Sequence, residues 1–123
     1  MTETTRTAPQ LVRVAPEIPV ADLDTALAYY VEKLGFEVAM TLPERDYAIV
    51  ERDGVALHLF LDKDKIHSCS SLHIFTEGLE ELFAEIQERG VGILQEIVRK
   101  PWGNRDFRVS DPSGNEIKFS EAS

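Results

Sequence analysis

Three histidines, one cysteine and one tryptophan are the side chains of this chain with the most chemistry to offer. His58 lies in the alternating run VALHLFL and His73 in LHIFT, so both sit on candidate strands. Two strand imidazoles, joined by a carboxylate such as Glu96 or Glu116, would make a divalent metal site. A strand histidine equally serves as a packed, hydrogen-bonded side chain. His67, in the polar stretch DKDKIHSCS, reads as a solvated residue. Cys69 is flanked by serines and becomes a nucleophile only beside a base that lowers its pKa. Trp102 stands in Lys100-Pro101-Trp102-Gly103, a short Pro/Gly connection where a ligand or an interface competes with the core for the indole. A planar ligand stacked on such a ring gains about 0.5–1.5 kcal/mol beyond burial. No glycine-rich phosphate loop, Gly-x-Ser-x-Gly elbow or paired metal-type cysteine spacing is present.

The elements that must position these residues repeat. Residues 12–20 (VRVAPEIPV) read as an extended strand, and its two prolines place it at a sheet edge or bend it there. Asp22 caps LDTALAYYVEKL, where Leu23, Ala26, Leu27, Tyr30, Val31 and Leu34 recur at helical spacing before Gly35. FEVAM, DYAIVER and VALHLFL follow as strands, the last two joined by an Asp53-Gly54 hairpin turn. After the polar residues 62–70 the order recurs: LHIFT as strand, GLEELFAEIQER as helix ended by Gly90, then VGILQEIV, RDFRVSD and NEIKFS, with Asp111 to Gly114 as the last turn.

Laid over one another, the halves match. Gly35 falls on Gly90 and Leu27 on Leu82, while Arg45-Asp46-Tyr47 falls on Arg105-Asp106-Phe107, Gly54 on Gly114 and His58 on Lys118. The reading is α+β: two tandem βαβββ modules, 12–62 and 70–120, with a tail over 1–11 and a linker over 63–69. Each helix covers one face of its sheet. The other face, assigned Leu57, Leu59, Leu61, Phe107 and Val109, is expected to line a cleft between the two sheets.

Composition narrows the function classes. The 123 residues suit one domain, and 43% hydrophobic with 28% charged residues suits a packed globule. Thirteen basic against 22 acidic residues give a formal charge of -9, which repels nucleic acid and anionic lipid. No apolar run could cross a bilayer, the polar MTETTRTAPQ is no signal peptide, and a single cysteine allows no intrachain disulfide. A cytoplasmic, soluble, single-domain protein is the expectation.

IPVADLDTALAYYVEKLGF, GLEELFAEI and PWGNRDFRVSDPSGNEIKF, on this repeated architecture, resemble the vicinal oxygen chelate superfamily of glyoxalase I, extradiol dioxygenases and antibiotic-resistance proteins. Within it, Pro-Trp-Gly followed by Arg-Asp-Phe is most similar to the bleomycin-resistance proteins. Enzymes of the superfamily hold a divalent metal between the modules. Counted back from the helix-ending glycines, the matching first-strand positions are Ala15 and Ser70 or Ser71, while the last-strand positions, paired with each other by the repeat, are His58 and Lys118. Ala15 has no donor and an ammonium has no lone pair, so no metal, cofactor or catalytic residue is expected.

The resemblance implies a drug groove lined by Leu42, Tyr47, Phe60, Trp102 and Gly103, with His73 where other members carry tryptophan. It implies a homodimer whose N-terminal strand crosses to the partner, hinged at Pro16, and resistance by sequestering bleomycin-type glycopeptides unchanged. The alternatives are a metal-dependent lyase, isomerase or dioxygenase of the same superfamily, or a binder of another flat small molecule.

Overall fold

A computed structural model describes residues 8–122. Residues 1–7, the first part of the expected tail, lie outside the described residues. The first sheet contains β1 (Glu17–Val20), β2 (Glu37–Thr41), β3 (Tyr47–Arg52) and β4 (Val55–Leu61) in the order β1-β4-β3-β2. The second contains β5 (Ser71–Thr76), β6 (Ile93–Arg99), β7 (Arg105–Ser110) and β8 (Glu116–Glu121) in the matching order β5-β8-β7-β6. In both, the first strand runs parallel to the last and the other pairs are antiparallel. The two βαβββ modules are therefore present as expected.

Between β1 and β2 the chain forms α1 (Leu23–Ala28), which continues into one wide π-type turn, Tyr29–Lys33. Asp22 caps α1, its carboxylate accepting from the Thr25 amide at 2.8 Å. The wider turn closes with the Leu34 amide on the Tyr29 carbonyl, and Gly35 then takes φ +78°, a conformation open to glycine. In the second module α2 (Leu79–Glu88) ends at Gly90, with φ +84°.

Two expectations need correction. The first strand begins at Glu17, not Val12: Pro16 adds a single bond to β4 through its carbonyl, residues 8–15 pair with no described strand of their own chain, and Leu11, Val12 and Val14 are exposed. Pro19 does sit in an edge strand, as its missing N–H demands. The second correction concerns faces. Leu57, Leu59, Phe107 and Val109 are fully buried on the helix side, where Phe83 of α2 meets Phe107 edge-to-face at 5.0 Å. They form the core, not a cleft.

The modules are joined on that helix side by a buried polar network. The Asp111 carboxylate accepts from the Tyr30 hydroxyl at 2.8 Å, the Asn115 side-chain amide at 2.8 Å, and the backbone amides of Ser113 at 2.9 Å and Asn115 at 2.8 Å. Asn115 also donates to the Pro19 carbonyl at 2.8 Å. A second link lies nearer the surface, where Arg52 meets Glu85 through two hydrogen bonds of 2.9 Å. Burial and the neighbouring Asp111 charge push the Tyr30 hydroxyl well above its usual pKa, so it remains a donor.

Asp111→Ala removes an acceptor of four donors and strands Tyr30 and Asn115 in the interior. The expected loss is about 2–5 kcal/mol, against about 1–3 kcal/mol for Tyr30→Phe, measured by urea unfolding. Equal, negligible losses would show that the network does not hold the modules together.

Candidate ligand-binding faces

Strand register decides which side chains share the uncovered face of each sheet. In the first sheet Tyr47 is the cross-strand partner of Phe60, Ile49 of His58, and Met40 of Ile49. On the parallel side Glu17 stands beside His58 and Pro19 beside Phe60. Leu42, 40% exposed, closes the β2–β3 turn with its amide on the Tyr47 carbonyl. This face is aromatic and apolar, with acids at its margins. His67 is not merely solvated: its ring packs edge-to-face on Phe60 at 5.2 Å, and its amide is held by Asp62 at 2.8 Å. The linker is thus folded around the Asp62 carboxylate, which also accepts from the Ile66 amide at 3.1 Å.

A short hydrogen-bond chain runs through the middle of this face. The Tyr47 hydroxyl is 3.0 Å from Glu17 Oε2 and 2.7 Å from His58 Nδ1. Desolvation, then the Glu17 hydrogen bond and charge, raise the Tyr47 pKa, which keeps its proton in place. An ionised Glu17 can only accept, so Tyr47 donates to it. With the phenol proton given to Glu17, His58 Nδ1–H is the donor to the phenol oxygen.

The second sheet presents a different face. Arg108 is the cross-strand partner of Lys118, and Lys118 stands beside His73 on β5. Gln95 partners Arg108, and Asp106 lies opposite Ser120. Asp106 is 1% exposed; burial alone would raise its pKa, but the Gln95 hydrogen bond and the Arg108 and Lys100 charges outweigh burial and hold it below the usual range. His73 is fixed by Ser120 Oγ at 2.7 Å and stacks on the exposed Phe75 ring at 5.8 Å. Trp102, 72% exposed, stands at the tip of the β6–β7 connection, with Gly103 donating to the Lys100 carbonyl. The indole is no core plug.

The predicted site residues thus divide. Leu42, Tyr47 and Phe60 share the first sheet's open face, while His73 and the Trp102-Gly103 tip belong to the second sheet. Among the described residues no side-chain hydrogen bond or ion pair joins the two open faces. A crevice of about 560 Å³ lies elsewhere, between the modules at Leu34, Phe36, Val55, Ile74 and Phe119. The expected intrachain cleft between the sheets is replaced by two outward faces.

Register also corrects the counted metal positions. The residue beside His58 is Glu17, not Ala15, and the residue beside Lys118 is His73, not Ser70 or Ser71. Ser71 starts β5 and bonds Glu116 at 3.3 Å, while Ser70 reaches the Glu17 carbonyl at 3.4 Å. Glu96 and Glu116 do not bring His58 and His73 together. Glu17, His58 and His73 are better donors than the counted positions, yet they do not fit a divalent ion: Tyr47 ties up Glu17 and His58 Nδ1, and His73 has a lysine beside it. Among the described residues no group of three or more His, Cys, Asp or Glu side chains is placed to hold a metal. Cys69 is exposed and donates to the Ser113 carbonyl at 3.2 Å.

The profile of the Glyoxalase/Bleomycin resistance protein/Dioxygenase superfamily matches residues 10–119. The chain belongs to this superfamily. Bleomycin resistance proteins of Geobacillus stearothermophilus and Staphylococcus aureus are 27% identical to it over 128 residues, covering 89% of this chain and 96% of theirs. Its fold is that of a bleomycin-binding protein solved with bleomycin, with a TM-score of 0.81, 20% identity, and 92% of this chain and 100% of that one covered. It is equally that of TioX from Micromonospora sp. ML1, with a TM-score of 0.79, 21% identity, and 91% and 99% covered. A lactoylglutathione lyase from Agrobacterium tumefaciens aligns with a TM-score of 0.73, 18% identity, and 93% and 96% covered. The superfamily fold thus houses an enzyme as well as binding proteins, and only side chains can tell them apart. Among the described residues no helix is long and apolar enough to cross a membrane.

The Glu17–Tyr47–His58 chain sets a tautomer that can be checked. In nitrogen-15 NMR, His58 is expected as the Nδ1–H form, and Tyr47→Phe should release it to the commoner Nε2–H form. An Nε2–H signal in the unmodified protein would show that the chain runs the other way.

Proposed function

We propose that this protein is a non-catalytic binder that captures a flat, amphipathic small molecule on its open sheet faces, with bleomycin-type glycopeptides as the ligand its relatives favour. The observation that carries the reading is the composition of those faces. Tyr47, Phe60 and His67 offer aromatic surface on one sheet, Trp102 stands free at the edge of the other, and Lys118 occupies a position where a metal-dependent relative needs a ligand. Protection then comes from sequestration: drug held on the protein cannot reach its target, and no bond is made or broken. Saturating protection requires at least one binding site per drug molecule rather than turnover. The net charge of -9 supports this reading for a ligand with a cationic tail, chiefly by speeding encounter.

The same reading makes the protein a homodimer. Among the described residues nothing covers either open face, and a single layer of aromatic residues does not enclose a ligand. The segment 8–16 carries Leu11, Val12 and Val14 into solvent, as expected of a strand that pairs with a second copy. Pro16 is where it departs: its carbonyl still accepts from the His58 amide at 3.0 Å, while the residues before it leave the sheet. A chain beginning at Pro16 should sediment as a monomer or a weakened dimer; a tight dimer would exclude strand exchange.

A specific observation favours a related second reading, capture of a different planar molecule. Two cations stand directly opposite one another on the second sheet, which a purely cationic ligand would leave unpaired.

Trp102 fluorescence decides between capture of bleomycin and capture of something else. Titration of the EDTA-treated protein with metal-free and copper-loaded bleomycin should quench it saturably, near one drug per chain and at micromolar affinity or tighter. Trp102→Phe should weaken binding about three- to tenfold by calorimetry. A flat titration, confirmed by calorimetry, would remove bleomycin as the ligand.

A further inference from the structure

We propose that the open face of the second sheet is an anion subsite, taking a carboxylate, sulfonate or similar oxyanion of the small molecule that this protein captures. The inference rests on capture at the open faces, but not on bleomycin as the captured molecule.

Arg108 and Lys118 are cross-strand partners on adjacent antiparallel strands, with His73 next in the same row. Like charges directly opposite each other destabilise a sheet. The pair is also largely withdrawn from water, with the Arg108 side chain 23% exposed and that of Lys118 19% exposed. Among the described residues neither side chain makes a hydrogen bond. Arg108 Nε is buried without a hydrogen-bond partner among the described residues, at 3.5 Å from Asp106 Oδ1. Glu116 lies at the limit of ion pairing with both, 4.0 Å from Arg108 Nη1 and 3.7 Å from Lys118 Nζ. Asp106 is shared further with Lys100, 3.7 Å away.

Three cations therefore face two carboxylates on this patch, in a chain whose net charge is -9. The surplus is local and runs against the charge of the whole molecule. An oxyanion placed over the row would accept from the Arg108 guanidinium and the Lys118 ammonium together, turning an opposed pair into a clamp. Sheet one offers no equivalent: its corresponding row is Glu17, His58, Ile49 and Met40. The two faces thus divide the work, one stacking a planar body and the other holding a negative group.

The test uses two probes with one aromatic body, anilinonaphthalene sulfonate and neutral N-phenylnaphthylamine, followed by their own fluorescence on the full-length protein. The sulfonate is expected to bind at least about tenfold more tightly than the neutral probe. Arg108→Gln and Lys118→Gln should each erase most of that difference and leave the neutral probe within about twofold. Thermal unfolding provides the folding control: Lys118→Gln relieves a like-charge pair and should not lower the melting temperature, whereas Arg108→Gln also takes a cation from the buried Asp106 carboxylate, so it should lower the melting temperature while leaving the protein folded at the assay temperature. Equal affinity for the two probes, or a sulfonate preference untouched by both substitutions, overturns the anion subsite while leaving capture of planar ligands intact. Loss of self-association in both variants with an unchanged probe ratio also overturns it, assigning the cations to a subunit contact. If neither probe binds saturably, or if Phe60→Ala leaves neutral-probe binding unchanged, capture at these faces fails and the subsite with it.

Discussion

The Asp111 carboxylate is the point on which the arrangement of the molecule turns. It sits in the last hairpin turn of the second module, yet it accepts the hydroxyl of Tyr30 from the first module's helix and holds Asn115, which in turn holds the carbonyl of Pro19 in β1. A buried polar network of this kind is costly when incomplete and specific when complete. Here every acceptor lobe of Asp111 has a donor, so the two modules have one preferred way to sit. That way brings the helix sides together, with Arg52 and Arg89 of the two modules gathered on Glu85. The sheet faces are left pointing outward.

This geometry explains why one chain carries two unlike surfaces. Had the modules closed face to face, Tyr47 and Phe60 would have met the Arg108–Lys118 row directly, and a single chain would enclose its own cleft. Joined through their helices, the sheets instead need another molecule to cover them. The same constraint bears on metal chemistry. Glu17 and His58 belong to one sheet, His73 and Lys118 to the other, and no chain gathers the four by itself. Shared architecture with a lyase and with a bleomycin-binding protein therefore leaves function to the few side chains at these positions.

Much of this was legible in the residues. Helix periodicity, the two helix-ending glycines, the Asp53-Gly54 turn and the internal repeat each announce a local event, and local events are what short sequence windows encode. Strand register is not local. Counting from Gly35 placed the partner of His58 at Ala15, while the ladder places Glu17 there, because register is set by the β1–β4 pairing rather than by distance from the helix. Face assignment failed for a related reason. An alternating strand shows that Leu57 and His58 point oppositely, but only packing shows which side the helix covers. Asp111 was visible solely as a turn residue, since nothing in Asp-Pro-Ser-Gly signals a tyrosine 81 positions away. His67 could have been suspected from Asp62, five residues earlier, as the acceptor that folds the linker back onto Phe60.

Charge shows the same gap between global and local reading. A formal charge of -9 describes the field a ligand meets at a distance, and a field of that sign favours the approach of cations. It says little about what is held at contact, where screening is weaker and individual donors matter. On the second sheet the nearest charges are Arg108 and Lys118, and their preference is the opposite of the molecule's. A ligand with both a cationic and an anionic end would satisfy the two scales at once, drawn in by the first and retained through the second. Net composition thus speaks to encounter, whereas cross-strand register, which composition cannot show, speaks to what remains bound.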